Sequence, residues 1–321
     1  MQLSPPKTNP NAEKLEFKQK FIDRYTKLTD WDTFKRFSLY FLRKSIRVNT
    51  LKISVEDLVA RLENDWILEP IPWCKEGFWI EHKGEEKRRD IGNLLEHQLG
   101  YIYIQEAASM IPPLVLDPQP GERVLDMCAA PGSKTTQLAA MMQNKGIIVG
   151  NDVSGIRLAA LGVNIQRCGV ENIITTKMRG HYFKNMEFDR ILVDAPCSGT
   201  GTIRKSLKTI EMWNPNYGIF LSKTQKPLLQ TAFNLLKPGG TIVYSTCTLE
   251  PDEDEGVIDW FLKQNPNAKL EPIDLNIKCS PPVTEFKGKT YSDEVKKTLR
   301  IWPQDNDTEG FFVAKIKKLE E

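Results

Sequence analysis

The chain has 321 residues, of which 40% are hydrophobic and 27% are charged, and its formal net charge at pH 7 is +2. This length allows a large core and one small additional domain, and the composition predicts a soluble globular protein in which no apolar run reaches a membrane-spanning length. The small net charge neither demands nor excludes a nucleic-acid partner.

The N-terminus and the cysteines predict the cellular compartment. Residues 1–10 lack the apolar core of a signal peptide, which predicts a cytoplasmic protein without a membrane partner. The cysteines at positions 74, 128, 168, 197, 247 and 279 show no close pairing, which is typical of reduced thiols rather than a disulfide framework. The thiols are therefore available for chemistry.

The first part of the chain predicts a small α+β domain, to which we assign residues 1–95. Residues 11–45 have an amphipathic helical pattern, and the polar stretch 81–90 is expected to end the domain. The elements predicted between them are a strand at 46–51, a helix at 55–62, and short strands at 66–71 and 77–80.

Residues 96–321 are predicted to form a second domain in which strands and helices alternate. Such alternation is typical of βαβ units and of a parallel, doubly wound sheet. Residues 236–240, Leu-Lys-Pro-Gly-Gly, predict a helix stop and a turn. Strands are predicted at 124–126, 147–151, 173–176, 191–194, 241–245, 299–302 and 311–316, and helices at 134–143, 157–168, 221–236 and 255–264.

Three loops of this domain carry the residues of chemical interest. Residues 194–199 (Asp-Ala-Pro-Cys-Ser-Gly) and 245–248 (Ser-Thr-Cys-Thr) each place a cysteine after an apolar strand. Residues 128–134 (Cys-Ala-Ala-Pro-Gly-Ser-Lys) also follow a strand and lead into a helix. Because a doubly wound sheet binds its ligands at the carboxyl ends of its strands, we expect the three loops to converge on one crevice. This arrangement indicates an enzyme.

The first of these loops suits a nucleoside cofactor without a pyrophosphate. The stretch after the strand contains only Gly132 of the glycines that a dinucleotide fingerprint needs, and Gly-Ser-Lys-Thr does not match a nucleotide-phosphate loop. Asp126 ends one strand and Asp152 the next, and the Asp152 carboxylate can accept hydrogen bonds from both ribose hydroxyls. The pattern favours S-adenosylmethionine, while the alternative for Asp152 is a turn or helix cap.

The three loops, in their order along the chain, resemble motifs of the Nol/Nop/Sun family of RNA cytosine-5 methyltransferases. Residues 47–52, 105–109 and 307–312 resemble three further family motifs, so the similarity covers roughly residues 40–316. The resemblance implies a Rossmann-like S-adenosylmethionine-dependent methyltransferase domain with a doubly wound mixed sheet. The compact chain is most similar to archaeal members that act on transfer RNA, so the resemblance favours transfer RNA over ribosomal RNA.

The resemblance also implies roles for individual residues. Cys247 is expected to be the nucleophile that adds to carbon 6 of a flipped cytosine, and Cys197 to assist its release. Asp194 is expected to hold the Watson–Crick edge of the base. The alternative for each cysteine is a small buried core residue. Lys134 is a source of the positive charge that favours a thiolate. The expected cofactor contacts are Cys128, Ala129, Ala130, Pro131, Gly132, Ser133, Lys134, Asp152, Arg157 and Asp194.

Two basic clusters are candidates for RNA contact. One lies between residues 35 and 52, where aromatic residues separate the cations, and the other directly follows the Asp194 loop. The alternative for each cluster is a solvated surface. The sequence leaves open whether a helper protein restricts the choice of nucleotide. The expected phosphate contacts are Arg43, Lys44, Arg47, Lys52, Arg204 and Lys205.

No metal site is predicted, because the chain has no Cys-x-x-Cys pair and its three histidines lack metal-ligand spacing. The acidic run 250–255 is interpreted as a helix cap rather than a metal site. One departure from the family pattern concerns residues 177–181, where Arg179 stands at the position of the acidic residue that usually binds the adenine amino group. We expect a backbone carbonyl to replace it.

Other activities fit the sequence less well. A DNA cytosine-5 methyltransferase would use Cys197 as its nucleophile and would need a downstream Glu-Asn-Val motif, which is not found. An enzyme that methylates exocyclic amines would need an Asp/Asn-Pro-Pro-Tyr motif where residues 194–197 read Asp-Ala-Pro-Cys. A catalytically idle RNA-binding scaffold would have no need of both thiols and the cofactor loop. A ribosomal RNA cytosine-5 methyltransferase remains the principal alternative.

Overall fold

The structure, a computed structural model, describes residues 3–85, 88 and 90–320. Residues 86, 87 and 89 of the predicted polar stretch lie outside this range, as do residues 1, 2 and 321. The elements of the first part are α1 (Gln19–Tyr25), α2 (Trp31–Ser38), β1 (Ser45–Val48), α3 (Val55–Leu62), β2 (Trp66–Ile71), β3 (Cys74–His82), α4 (Leu95–Gln98) and β4 (Ile102–Ile104).

An antiparallel sheet with the order β2-β3-β1-β4 organises this part of the chain, as the predicted α+β pattern requires. Ser54 begins α3 because its hydroxyl accepts the backbone N–H of Asp57 at 3.0 Å. The apolar side of α3 packs through Leu58 on Ile46 and Phe78 of the sheet. The predicted domain boundary after residue 95 falls between β3 and β4, two strands of the same sheet.

The second part begins near residue 111 and contains the larger sheet. Its elements are α5 (Ile111–Leu116), β5 (Arg123–Asp126), α6 (Ser133–Met141), β6 (Ile147–Asp152), α7 (Gly155–Cys168), β7 (Ile173–Lys177), β8 (Phe188–Asp194), α8 (Lys208–Met212), α9 (Tyr217–Leu235), β9 (Leu236–Thr246), α10 (Glu255–Gln264), β10 (Ala268–Glu271), β11 (Glu285–Phe286), β12 (Lys289–Thr290), β13 (Leu299–Ile301), α11 (Pro303–Asn306) and β14 (Phe311–Lys318).

The larger sheet has the order β10-β14-β9-β8-β5-β6-β7, and β13 pairs with β14. The strands from β9 to β7 run parallel, whereas β14 is antiparallel to β9, which confirms the predicted mixed, doubly wound sheet. The chain passes from β5 outward to β7 and then returns to β8 on the other side of β5. This reversal opens a crevice at the carboxyl ends of β5 and β8.

Residues 236–240 differ from the prediction. They belong to β9 rather than to a free turn, because Leu236 already pairs with Phe188 of β8. Gly239 has φ +71, and a Cβ at Gly240 would lie 2.9 Å from the carbonyl oxygen of Asp189. The two glycines therefore allow an irregular strand entrance in close contact with its neighbour.

The predicted helical region 11–45 is divided into α1 and α2. Asp30 separates them and caps α2 by accepting the backbone N–H of Thr33 at 2.9 Å. Tyr25 of α1 stacks on Phe34 of α2 at 5.1 Å between ring centroids, and Trp302 packs edge-on against both rings. This aromatic cluster attaches the N-terminal helices to the catalytic domain. No helix within the described ranges is long and apolar enough to cross a membrane.

Candidate active site

The two predicted thiols lie next to each other at the edge of the sheet. Cys197 follows β8 and Cys247 follows β9. These two strands are parallel neighbours, and Asp194 at the end of β8 pairs with Ser245 near the end of β9. Their loops therefore emerge side by side, and the two Sγ atoms are 3.3 Å apart. Both cysteines are half-buried free thiols rather than fully buried ones, and Cys247 also packs against the hydrophobic core.

The contact between the thiols makes them chemically unequal. When Cys197 donates its S–H to Cys247, this hydrogen bond lowers the pKa of Cys247 below its usual value, and the nearby Lys134 lowers it further against burial and Asp194. The same contact and burial raise the pKa of Cys197 well above its usual value. Cys247 is thus the more readily formed thiolate, which is the form that a sulfur nucleophile needs.

An ion pair connects the cofactor loop to the first cysteine loop. Nζ of Lys134, in the first turn of α6, donates to Oδ2 of Asp194 at 2.7 Å, and Oγ of Ser245 donates to Oδ1 of Asp194 at 2.8 Å. Burial opposes the charge of Lys134, but Asp194 raises its pKa above the usual value. A buried cation and a carboxylate therefore stand beside the thiols.

A buried carboxyl group that the sequence analysis did not identify supports both cysteine loops. Glu253 accepts the backbone N–H of Ser198 and the side-chain amide of Gln225, each at 2.9 Å, and also accepts the hydroxyl of Ser198. The Ser198 hydroxyl lies 2.7 Å from that of Thr248. Because Ser198 and Thr248 directly follow the two cysteines, this network holds the loops together. Burial raises the pKa of Glu253 to about 7.

The acidic run 250–255 opens α10, as predicted, but it does not cap this helix through a side-chain hydrogen bond within the described residues. Asp254 stands at the cap position of α10, yet among the described residues its side chain makes no capping hydrogen bond. Instead, Arg300 forms buried ion pairs with Asp254 at 2.9 Å and Glu255 at 2.6 Å. Glu250 accepts from Trp213 at 2.8 Å. Buried cations and donors explain this acidic run, and no cluster with metal-binding geometry occurs in the described part of the chain.

Glu309 is a second buried carboxyl group near Cys247. It is 6% exposed, and its Oε1 atom has no hydrogen-bond partner among the described residues. Burial, together with the charges of Glu106 and Cys247, raises the pKa of Glu309 well above its usual value. A buried carboxyl group with a raised pKa therefore borders the site. The sequence signal for it was the motif 307–312, in which no role had been assigned to Glu309.

The cofactor loop joins β5 to α6. The hydroxyl of Thr135 donates to Oδ2 of Asp126 at 2.8 Å, whereas Oδ1 of Asp126 is buried without a hydrogen-bond partner in the described ranges. Burial raises the pKa of Asp126 to about 7. Gly132, with φ +111, begins α6, and a Cβ there would lie 2.8 Å from a methyl of Leu161. Only glycine fits this turn.

The predicted ribose acceptor Asp152 ends β6 and is buried. Its Oδ1 accepts the backbone N–H of Ser154 at 2.9 Å, which is the turn contact foreseen as the alternative. Its Oδ2 lies 3.1 Å from Nη1 of Arg157, without the alignment of a hydrogen bond to any described residue. The next residue, Val153, is 60% exposed. Carboxylate oxygens with free acceptor capacity beside an exposed apolar side chain fit the ribose and base of a nucleoside cofactor.

The remaining loop residues pack around this crevice. Ala129 and Ala130 are buried, the Ala130–Pro131 peptide bond is cis, and Arg157 donates to the carbonyl oxygen of Ala130. The Ala129 N–H donates to the carbonyl oxygen of Asn151 in β6 at 2.7 Å. Burial raises the pKa of Cys128, so this thiol is neutral. The predicted cofactor residues therefore lie in the loop between β5 and α6 and the first turn of α6, at the ends of β6 and β8, and in the first turn of α7.

Two of the six predicted phosphate contacts are corrected by the structure. Arg47 is buried and donates to the carbonyl oxygen of Ser133 and the hydroxyl of Thr136, each at 3.0 Å. Arg204 is also buried; its guanidinium lies 2.6 Å from the carboxylate of Asp307 and donates to the carbonyl oxygen of Phe41 at 2.8 Å. Both guanidinium groups point into the protein, and their partners are other residues of the chain.

Two further cations are engaged in internal contacts. Lys52 donates to the carbonyl oxygen of Leu99, directly after α4, at 3.0 Å and to that of Arg167, in the last turn of α7, at 2.8 Å. Arg43 lies 2.9 Å from Asp307 and 3.7 Å from the centre of the Trp79 ring. Residues 47–52 thus attach the N-terminal sheet to the catalytic domain.

Lys44 and Lys205 remain as candidates for RNA contact. Both are exposed, and neither forms a side-chain hydrogen bond or ion pair with any residue that the structure describes. A cation without an intramolecular partner is free to approach a phosphate.

The mixed sheet, the nucleoside crevice at β5 and β6, and the polar residues at the ends of β8 and β9 define a Rossmann-like methyltransferase. The family model of 16S rRNA methyltransferase RsmB/F matches residues 113–317, and that of the N-terminal domain of 16S rRNA methyltransferase RsmF matches residues 17–107. The chain belongs to this RsmB/F methyltransferase family, which confirms the resemblance seen in its motifs.

Two relatives illustrate the range of the family. The chain is 50% identical over 313 residues to the tRNA (cytosine(49)-C(5))-methyltransferase of Pyrococcus abyssi, which covers 95% of this chain and 98% of that protein. It is 45% identical over 284 residues to the ribosomal RNA small subunit methyltransferase F of Klebsiella pneumoniae, over 86% of this chain and 57% of that protein. The chain thus spans little more than half of the second relative.

Solved structures agree with this assignment. A methyltransferase homologue from Pyrococcus horikoshii has a TM-score of 0.84 and 40% identity, with coverage of 97% of this chain and all of that one. NSun6 from Pyrococcus horikoshii, solved with SFG, has a TM-score of 0.82 at 24% identity, over 95% of this chain and 99% of that chain. The second likeness supports the fold alone.

Proposed function

We propose that this methyltransferase transfers a methyl group from S-adenosylmethionine to carbon 5 of a cytosine in transfer RNA. The observation that carries the proposal is the 3.3 Å contact between Cys197 and Cys247 beside the Lys134–Asp194 ion pair. Carbon 5 of cytosine is a weak nucleophile, and a thiolate that adds to carbon 6 makes it electron-rich. A polarised thiol pair suits that chemistry.

The first step belongs to Cys247. Its thiolate forms a bond to carbon 6, and the electron pair of the carbon 5–carbon 6 double bond moves toward carbon 5 and the ring nitrogen. Asp194 accepts hydrogen bonds from the Watson–Crick edge, and Lys134 balances the negative charge that develops nearby. Asp126, Asp152 and residues 128–134 would hold S-adenosylmethionine, which would supply the electrophilic methyl group for carbon 5 and leave as S-adenosylhomocysteine.

The second step regenerates the enzyme. A base takes the proton from carbon 5, the electron pair of that C–H bond restores the double bond, and the bond between carbon 6 and the Cys247 sulfur breaks. Cys197 assists because its S–H donates to the departing sulfur, the same contact that lowers the pKa of Cys247 in the free enzyme. A departing thiolate stabilised by a hydrogen bond leaves faster.

Transfer RNA is preferred as the substrate on grounds of sequence identity. The Pyrococcus abyssi protein, whose name specifies cytosine 49 of transfer RNA, matches this chain almost from end to end. The Klebsiella pneumoniae ribosomal RNA enzyme contains a large region that this chain does not match. Ribosomal RNA is the second candidate, because both family models are named for 16S rRNA methyltransferases.

The test is incubation of the protein with labelled S-adenosylmethionine and unmodified transfer RNA or 16S ribosomal RNA, followed by bisulfite sequencing. We expect label in transfer RNA and one protected cytosine, neither of which forms with Cys247→Ala. Label in ribosomal RNA alone would assign the second candidate. Absence of label from both RNAs with folded wild-type protein would overturn the proposed activity.

A further inference from the structure

A cavity of about 410 Å³ lies between the N-terminal segment and the loop after Cys197. Residues 3–9 form one wall of this cavity, and Arg204 and Lys205 contribute to the opposite side. The segment has a defined position, because the backbone N–H of Phe41 donates to the carbonyl oxygen of Lys7 at 2.8 Å and Thr8 pairs with Tyr40. The wall that this segment forms is thus held in place by backbone contacts.

The cavity has an excess of positive charge, although the carboxylate of Glu81, which accepts from the backbone N–H and the hydroxyl of Ser4, also lines it. Lys7, Lys44 and Lys205 line it and are exposed, and none of the three has a side-chain hydrogen bond or ion pair within residues 3–85, 88 and 90–320. The neighbouring Arg204 differs, because Asp307 neutralises it. Three uncompensated cations around one cavity attract an anionic group such as a phosphate.

The same cavity has an apolar wall. Leu42, Ile80 and Ile91 line it together with Pro5 and Pro6. Its volume lies within the range of pockets that hold a small organic group. An anionic group joined to a flat apolar group satisfies both kinds of lining, and a nucleotide has this composition.

One short loop connects Cys197 to the residues that line the cavity. Gly201, four residues after Cys197, donates its N–H to the carbonyl oxygen of Cys247 at 3.0 Å and accepts the N–H of Gly310 at 2.9 Å. A Cβ at Gly201 would lie 2.1 Å from the carbonyl oxygen of Gly310, so only glycine permits this approach. Arg204 and Lys205 follow in the same loop and reach the cavity.

We propose that this cavity binds an RNA nucleotide that neighbours the target cytosine. The inference rests on the proposed function and specifies how the substrate is held. The phosphate of the neighbour lies against Lys7, Lys44 and Lys205, and its base lies against the apolar wall. A target base taken out of its stack leaves its neighbours partly unstacked, and a site for one of them compensates for that loss.

The charge arm of the test uses the double variant Lys44→Glu/Lys205→Glu. Its matched control is Lys145→Glu/Lys269→Glu, two exposed lysines that do not line the cavity. Transfer RNA binding is measured by fluorescence anisotropy over a range of NaCl concentrations, with KM and kcat for methyl transfer. We expect KM to rise about tenfold or more, kcat to stay within about twofold, and the salt slope to fall by about 1, as the loss of one phosphate contact requires. Equal effects of the test and control pairs would overturn the phosphate site.

The shape arm uses Leu42→Trp, which fills the cavity without changing charge. We expect weaker transfer RNA binding with an unchanged salt slope, while the melting temperature of each variant checks that it folds. Normal binding by Leu42→Trp, together with weaker binding by the charge variant, would reduce the site to surface phosphate contacts and overturn the nucleotide pocket. Because anisotropy needs no methyl transfer, both arms give a result even if the proposed activity fails.

Discussion

Nζ of Lys134 lies 2.7 Å from Oδ2 of Asp194, although the two residues are 60 positions apart in the chain. The pair joins the cofactor loop to the loop that carries Cys197, so the proposed methyl donor and methyl acceptor are held by connected residues. It also keeps a positive charge close to Cys247, whose pKa Lys134 helps to lower. The alignment of the two substrates therefore depends on a contact between distant segments.

The two cysteines are expected to have different phenotypes. Cys197→Ala should accumulate a covalent protein–RNA adduct, because Cys247 can still add to carbon 6 while its departure loses the Cys197 hydrogen bond. Cys247→Ala should form no adduct and transfer no methyl group. Denaturing gels with labelled transfer RNA distinguish the variants. An adduct with Cys247→Ala and none with Cys197→Ala would reverse the assigned roles.

The pH dependence of adduct formation tests the hydrogen bond between the thiols. Cys197 lowers the pKa of Cys247, so its removal in Cys197→Ala should move the onset of adduct formation to higher pH. Cys197→Ser keeps a donor at the same place and should show an onset at lower pH than the alanine variant. Initial rates of adduct formation between pH 6 and 9 provide the comparison, and identical profiles would contradict this role.

Glu253 should make stability depend on pH. Its pKa is about 7 in the folded protein and ordinary in the unfolded chain, so the folded state binds more protons between these values. Stability must then fall as pH rises from about 4.5 to 7 and level off above. Urea denaturation should show that wild type loses roughly 1–3 kcal/mol relative to Glu253→Gln over this interval. A constant difference between the two proteins would refute the shift.

Asp152 should act in cofactor binding. Asp152→Asn removes one carboxylate oxygen that can accept from a ribose hydroxyl, and it should weaken the binding of S-adenosylhomocysteine about tenfold or more in calorimetry. The matched control is Asp65→Asn, an exposed aspartate of the N-terminal part. Unchanged affinity in Asp152→Asn would leave this residue with only its turn contact to Ser154.

Arg47 should affect stability rather than RNA binding. Arg47→Met leaves the carbonyl oxygen of Ser133 and the hydroxyl of Thr136 without their guanidinium donor, which should lower the free energy of unfolding by about 1–3 kcal/mol. The salt dependence of transfer RNA binding should equal that of wild type, because the guanidinium is buried. A smaller salt slope would restore Arg47 as a phosphate contact.

Local sequence patterns were sufficient to predict where the cysteine loops and the cofactor loop lie in the fold. Cys197 and Cys247 each follow an apolar strand, and a doubly wound sheet brings the ends of such strands to one edge. The helix α3 also agrees with its predicted bounds, because a capping serine and an amphipathic pattern define it locally. These features depend on residues that are neighbours in the chain.

Local patterns could not predict whether an individual charged side chain is buried or exposed. Arg47 and Lys44 lie in the same basic segment, yet one is buried against α6 and the other is exposed. The acidic run 250–255 has the composition of a helix cap, but Arg300 and Ser198, which bind it, come from distant parts of the chain. The sequence contains these partners, but it does not show which of them come into contact.

The sequence alone therefore determined the order of strands and helices, the two thiols and the family, because hydrophobic periodicity and short motifs are local properties. Only the tertiary structure decided that Cys197 can donate to Cys247, that Glu253 supports both loops, and that Lys7 joins Lys44 and Lys205 around one cavity. The physical reason is that burial and hydrogen bonding set the state of a charged or ionisable group, and both depend on distant segments packing together.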